Sequence, residues 1–69
     1  MYEDRIVIDS EIRHGKPVIR GTRVPVDVIL GSLADGSVEE VAKEYGISKE
    51  DVLAAIEYAA KIVAKEEIK

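Results

Sequence analysis

Between Ile12 and Val26 the chain carries Arg13, His14, Lys16, Arg20 and Arg23 and no acidic residue. Cations gathered this closely hold oxyanions. A guanidinium fork matches phosphate or carboxylate with two parallel hydrogen bonds, and an ammonium adds a point charge. A second, smaller set is Ser48 and Lys49, at the head of a helical stretch, where a hydroxyl and an ammonium can approach base edges in a DNA groove. Other chemistries lack their residues. There is no cysteine, no Gly-rich phosphate loop, no His-Glu-x-x-His pair and no nucleophile elbow. The lone histidine, His14, precedes Gly15 and reads as a turn residue. The sequence therefore predicts a binding protein, not an enzyme, with no catalytic residue, no cofactor and no metal site.

The elements that must position these groups follow from periodicity and punctuation. Residues 5–9, RIVID, are β-rich and of strand length. Val18 to Val24 is a second β-rich run, interrupted by Gly21-Thr22, which predicts a two-residue type II′ hairpin turn. That register sets Arg20 opposite Arg23 and Ile19 opposite Val24. Pro17 and Pro25 fall at the outer ends, where a missing N–H does no damage. Two like charges facing across a strand pair repel. The arginines therefore either hold an anion, a phosphate or a carboxylate from a partner or from this chain's own acidic helices, or stand solvated.

Helices fill the remainder. The first spans about Val26 to Ala34, with Val26, Ile29, Leu30 and Leu33 on one stripe. Asp27 lies in its first turn, Gly36 is the expected C′ residue, and Gly31 marks a point of close packing. The second starts from Ser37 as N-cap with Glu40 at N3, a capping box. Its inner face is Val38, Val41, Ala42 and Tyr45, and Gly46 ends it. The third starts from Ser48 with Asp51 at N3 and runs to about Glu67, with Val52, Ile56, Ala59 or Ala60, and Val63 on its apolar seam. Its last turns have few partners within so short a chain and are expected to pack on another subunit.

Residues 38–58 have the order helix, glycine turn, helix, which is the grammar of a helix-turn-helix. Ala42 is small where the helices cross, Gly46 permits the positive φ of a sharp turn, and Ile47, Val52 and Ile56 close the angle. Any compact αα corner needs the same positions, so the pattern alone leaves DNA binding and protein binding both open. Charge bears on the choice. The outward positions of the third helix are Lys49, Glu50, Leu53, Ala54 and Glu57, with Asp51 close by, and phosphate neutralisation normally supplies much of DNA affinity. The helix then depends on the basic hairpin, or on a partner, to hold the backbone.

Composition sets the frame. The chain has 69 residues and a net charge of −4. Residues 1–25 hold five bases against four acids, and residues 26–69 hold five bases against ten acids. A chain of this length buries only about 60% of its unfolded surface. With no disulfide or metal to staple it, dimerisation is the remaining way to enlarge the core. Charged residues make up 35%, mostly Glu and Lys, a tilt that fits a thermophile. No apolar run approaches a membrane span and no signal peptide is visible, so a cytoplasmic location is expected.

The segment GKPVIRGTRVPV, residues 15–26, resembles the hallmark of family 433 of the domains of unknown function. So does its setting: an I-x-I-D strand before it, an L-x-x-G helix after it, then EEVAKEY and DV-x-x-A-I-x-YAA. The resemblance covers residues 5–64. Matching motif residues are Gly15, Lys16, Pro17, Ile19, Arg20, Gly21, Thr22, Arg23, Pro25 and Val26. It implies a homeodomain-like helical fold preceded by short strands, a dimer, and an antitoxin of the VapB type acting beside a PIN-like toxin. It transfers no chemistry to the motif residues. Where members carry a Pro-containing loop between the last two helices, this chain has Gly46-Ile47-Ser48.

The expected architecture is one mainly α domain over residues 1–69. A strand and β-hairpin arm occupies 1–25, and a three-helix helix-turn-helix core occupies 26–69. The expected protein is a homodimeric antitoxin-like regulator that binds a PIN-like toxin and double-stranded operator DNA, without a membrane. Arg13, Lys16, Arg20 and Arg23 hold phosphate, Ser48 and Lys49 approach bases, and Ile56, Ala60 and Val63 make the dimer contact. The alternative is a dimeric protein-interaction module in which the same arginines hold acidic side chains.

Overall fold

The computed structural model describes residues 4–65. Two short strands, β1 (Ile6–Val7) and β2 (Val18–Ile19), precede three helices, α1 (Val26–Ser32), α2 (Val38–Tyr45) and α3 (Lys49–Lys65). The fold is mainly α with a small N-terminal sheet, as the sequence implies. No helix among the described residues is long and apolar enough to cross a membrane. The end of the third helix expected at Glu67 lies outside the described residues.

β2 is the centre of the strand layer. It pairs antiparallel with β1, Ile6 against Ile19 and Val7 against Val18. On its other side Val18 bridges Pro25, and the Ile19 N–H donates to the Val24 carbonyl at 3.0 Å. The predicted facing of Ile19 and Val24 is therefore present. The turn between them is not the one predicted. The Thr22 N–H donates to the Ile19 carbonyl at 3.0 Å, so Arg20 and Gly21 are the central residues. Gly21 supplies the positive φ of 79° at the second of them, the type II arrangement. Three bonds pull the turn one residue back from Gly21-Thr22. The Arg20 N–H is taken by the Arg5 carbonyl at 2.8 Å. The Thr22 hydroxyl donates to the Ile19 carbonyl at 2.8 Å and accepts from the Val24 N–H at 3.0 Å. Arg20 and Arg23 thus form no cross-strand pair.

The helical caps follow their residues. Ser37 and Glu40 make the full reciprocal box, Glu40 N–H to Ser37 Oγ at 3.1 Å and Ser37 N–H to Glu40 Oε1 at 2.9 Å. Gly46 ends α2 in the left-handed conformation, φ 67° and ψ 33°. α1 is shorter than its stripe suggests. It stops at Ser32, and the chain unwinds through tight bonds from Ala34 N–H to Gly31 O and Asp35 N–H to Ser32 O. Gly36 is not its C′ residue. A Cβ there would meet Glu40 Oε1 at 3.3 Å, so Gly36 makes room for the capping box of α2. Gly31 is likewise not a packing point, since no atom lies within 4 Å of the Cβ position.

Ile19, Val26, Ile29, Val41, Ala42, Val52 and Ala55 form the buried core. Each fully buried Ile or Val contributes about 1.5–3 kcal/mol. Tyr45 and Ser32 hydroxyls meet at 2.7 Å and tie α2 to α1. α3 is turned slightly from its predicted face. Val52 and Ala55 are inside, Ala54 is buried rather than outward, and Ile56 is exposed rather than core. The i, i+3 pair of Val52 and Ala55 faces the core, and the i+4 position swings out. Glu57, expected outward, is half-buried.

Arg13, His14 and Gly15 all have positive φ, at 52°, 58° and 83°. They make one left-handed turn, closed by Gly15 N–H to Ile12 O and Lys16 N–H to Arg13 O, both 3.1 Å. The turn reading of His14 holds. A left-handed non-glycine residue costs roughly 1–2 kcal/mol, and glycine costs about 0.5–1 kcal/mol in unfolded-chain entropy. His14→Gly should therefore stabilise the fold by about 0.5 kcal/mol, and Gly46→Ala should destabilise it by about 1 kcal/mol. Thermal melts read both, at roughly 4–8 °C per kcal/mol for a domain this small. Equal melting temperatures for the two variants would refute the left-handed assignment.

Candidate functional site

The head of α3 is built from two directions. Locally, the Asp51 N–H donates to Ser48 Oγ at 3.0 Å and the Ser48 N–H donates to Asp51 Oδ2 at 3.2 Å. From the far end of the chain, Arg5 Nη1 reaches Asp51 Oδ1 at 3.0 Å, with Ser48 Oγ at 3.5 Å. Asp51 is the better buried partner, its side chain 17% exposed against 41% for Arg5. The sequence marks Asp51 as an acid that repels DNA, but in the fold a guanidinium balances it. Arg20 stands beside this pair and donates from Nε to the Asp4 carbonyl at 2.6 Å. Asp4, Arg5, Arg20 and Asp51 line one shallow depression.

Lys49 projects from the same helix start. Its ammonium lies 3.2 Å from Glu39 on α2, both side chains well exposed. The Glu39 carboxyl is held below its ordinary value, first by its own backbone N–H and then by Lys49. Two acids near the corner, Glu39 and Asp51, are therefore paired within the fold. Glu50 and Leu53 remain exposed on α3.

A second group of cations lies apart from the first. Arg13, His14, Lys16 and Arg23, with Ser10 and Glu11, line a cleft of about 680 Å³. Lys16 Nζ pairs with Asp27 Oδ2 on α1 at 3.1 Å. The Asp27 carboxyl is held below its ordinary 3.8, first by the Lys16 hydrogen bond, with slight burial opposing and Arg13 adding attraction. Arg13, His14 and Arg23 make no side-chain hydrogen bond or ion pair among the described residues. The four predicted phosphate holders are thus divided. Arg13, Lys16 and Arg23 share the cleft, while Arg20 belongs to the head of α3 with Ser48 and Lys49. Arg5 joins that head and is not among the residues nominated from sequence. Its partner is 46 positions away, a separation with no local signal. Among the described residues no three His, Asp or Glu side chains gather as metal ligands.

An apolar groove of about 310 Å³ runs between α1 and the second half of α3, lined by Pro17, Leu30, Tyr58, Ala59, Ile62 and Val63 among others. Of the predicted contact residues, Val63 lines it, while Ile56 and Ala60 are exposed on α3 outside its lining.

Comparison with known proteins agrees with this architecture. The family described as "Protein of unknown function (DUF433)" matches residues 6–59. An uncharacterized protein of Archaeoglobus fulgidus is 62% identical over 24 residues, which cover 35% of this chain and 67% of that protein. The X-ray crystal structure of Rv2018 from Mycobacterium tuberculosis superposes with a TM-score of 0.70 at 33% identity. The match takes in 80% of this chain and 27% of that one, so this chain spans about a quarter of the Rv2018 chain.

Two measurements check the charge arrangement. A double-mutant cycle of Arg5→Ala and Asp51→Asn should give a coupling of about 0.5–1 kcal/mol that falls with added salt. Zero coupling would show that the pair does not hold the head of α3. For Asp27, the folded pKa is depressed. Its stabilising contribution is therefore present above its ordinary 3.8 and lost as pH falls through the folded value. Lys16→Met should raise the Asp27 carboxyl towards 3.8, read by carboxyl NMR titration.

Proposed function

The chain belongs to the DUF433 family, and on that premise we propose that it is a small helix-turn-helix regulator of the antitoxin type and not an enzyme. The observation that carries this reading is the α2–Gly46–α3 corner, capped by Ser48 and Asp51 and flanked by Arg5, Arg20 and Lys49. In this reading the head of α3 enters the major groove. Arg20 and Lys49 take backbone phosphates, Ser48 lies at the base edges, and the ion pair with Arg5 offsets the Asp51 charge facing the approaching anion. The corner geometry supports the element, and the two internal ion pairs remove part of the charge conflict that the sequence presents.

The groove between α1 and α3 serves association in the same reading. A second copy of this chain covers it, using Val63 and the exposed Ile62 of α3. A PIN-like toxin is the further partner, as the antitoxin resemblance implies. A second reading has its own support. Lys16 and Lys49 already hold carboxylates within the chain, so the same cations suit an acidic protein surface. The protein is then a homodimeric interaction module that leaves DNA alone.

Fluorescence anisotropy with the protein's own promoter duplex separates the two. Saturable binding that survives competition by random duplex is expected, with a steep salt dependence. Replacing Arg20 and Lys49 together by Ala should reduce the slope of log K against log salt by about two phosphate contacts. No binding even at low salt, where electrostatic attraction is strongest, would remove DNA reading and leave the interaction module.

A further inference from the structure

We propose that the cleft formed by Arg13, His14, Lys16 and Arg23 is a binding site for a small phosphate monoester bearing hydroxyl groups, the class of sugar phosphates and nucleotides. This site is separate from the head of α3 and does not rest on DNA being read there. Three observations carry it. The cleft is open and lined by exposed side chains, and its volume of about 680 Å³ leaves room for a molecule larger than a single ion. Its two guanidiniums, Arg13 and Arg23, and the His14 imidazole make no side-chain hydrogen bond or ion pair among the described residues, Arg13 adding only a distant attraction to Asp27. The segment that delivers Arg13 and His14 is held in three consecutive left-handed residues, two of them not glycine.

The third observation is the most informative. Left-handed backbone at non-glycine positions is a cost that folds concentrate at binding and catalytic sites. Here the costly turn carries two of the cleft's cationic or ring side chains instead of glycines that would form the turn at less expense. The chemistry of the lining then selects the ligand. Two guanidinium forks with Lys16 nearby match the three oxygens and near-double charge of a phosphate monoester better than the two oxygens and single charge of a carboxylate. Glu11 lines the same cleft, and its carboxylate repels a bare anion. A carboxylate beside a phosphate site is instead the natural acceptor for a sugar hydroxyl, the role that acidic residues play against ribose in dinucleotide sites. Ser10 adds a hydroxyl that can donate or accept.

Binding of ribose 5-phosphate and of AMP to the intact chain, followed by calorimetry and amide NMR shifts at fixed ionic strength, tests this. The expected result is saturable binding of both, tighter than inorganic phosphate, with shifts confined to Ser10–Lys16 and Arg23. Arg13→Gln and Arg23→Gln should each weaken it at least tenfold, and Lys43→Gln, on the exposed face of α2 away from both cation groups, should leave it unchanged. Arg23→Gln lies in an exposed turn outside the left-handed segment, so it reads the site even where Arg13→Gln disturbs folding. Glu11→Gln should narrow the gap between ribose 5-phosphate and inorganic phosphate. Equal binding of those two ligands by the unmodified chain, or equal loss in Lys43→Gln, would reduce the effect to general charge and overturn the site. Duplex DNA that displaces ribose 5-phosphate would assign the cleft to the nucleic-acid backbone and overturn it too, whereas non-competition supports it whether or not the head of α3 binds DNA.

Discussion

The structure hangs on Val52 and Ala55, the fully buried pair near the start of α3. Around them gather Ile19 from β2, Val26 and Ile29 from α1, and Val41 and Ala42 from α2. The chain has no Phe or Trp, so the core is made of small aliphatic side chains. Such a core removes less apolar area from water than an aromatic one, and a domain of this length has little stability in reserve. The positions that admit a close approach therefore matter more than size. Ala42 and Ala55 bring the helices together, and Gly46 turns the chain back sharply enough for them to meet. The ends of the helices are secured by side chains as well as by packing. Both helices of the corner begin with reciprocal Ser–acid boxes, and the second box recruits Arg5.

That arrangement changes the meaning of the charges. As a sequence, the corner looks hostile to an anion, with Glu39, Asp51 and Glu50 at or near its surface. In the fold Asp51 is bonded to Ser48 and Arg5, and Glu39 to its own backbone and Lys49. Each pairing is individually weak, because exposed ion pairs contribute at most about 1 kcal/mol. Their larger effect is on potential, since a carboxylate beside a cation presents little net field beyond the Debye length. The cations have the reverse asymmetry. Lys16 and Lys49 are partly spent on Asp27 and Glu39, whereas the arginines of the cleft keep their full charge.

What the sequence made legible was local. Ser37 with Glu40, Ser48 with Asp51, and Gly46 are features of three or four residues, and the backbone groups they satisfy lie within the same turn. The facing of Ile19 and Val24 was legible for the same reason. Features set by distant contacts were not. The turn shifted to Arg20-Gly21 because the Arg5 carbonyl takes the Arg20 N–H, a bond to another strand. Ile56 left the core because the positions of β2 and α1 decide which face of α3 is inward, and an apolar seam written over nearly twenty residues contains more than one candidate face. The division of the basic segment was invisible too. Arg20 and Arg23 are three residues apart, and only the path of the turn sends one to the head of α3 and the other to the cleft.

The molecule thus has a well-buried end and an open one. At the sheet end β2 is covered on both edges, and Val18 and Ile19 are 1% exposed. At the other end α3 runs on past its neighbours with Ile62 and Val63 at 37% and 68% exposure. An amphipathic helix gains its stability from the surface its apolar face covers, not from propensity alone. The second half of α3 has such a face and only the rim of α1 beneath it. Any protein that covers this groove is therefore coupled to folding by mass action, adding stability in proportion to its binding free energy. A domain so lightly packed responds strongly to that coupling, because a few kcal/mol are a large share of what holds it together. Any such association would then be linked to folding of the α3 half, while the head of α3 is fixed from within the chain by Val52 and its capping box.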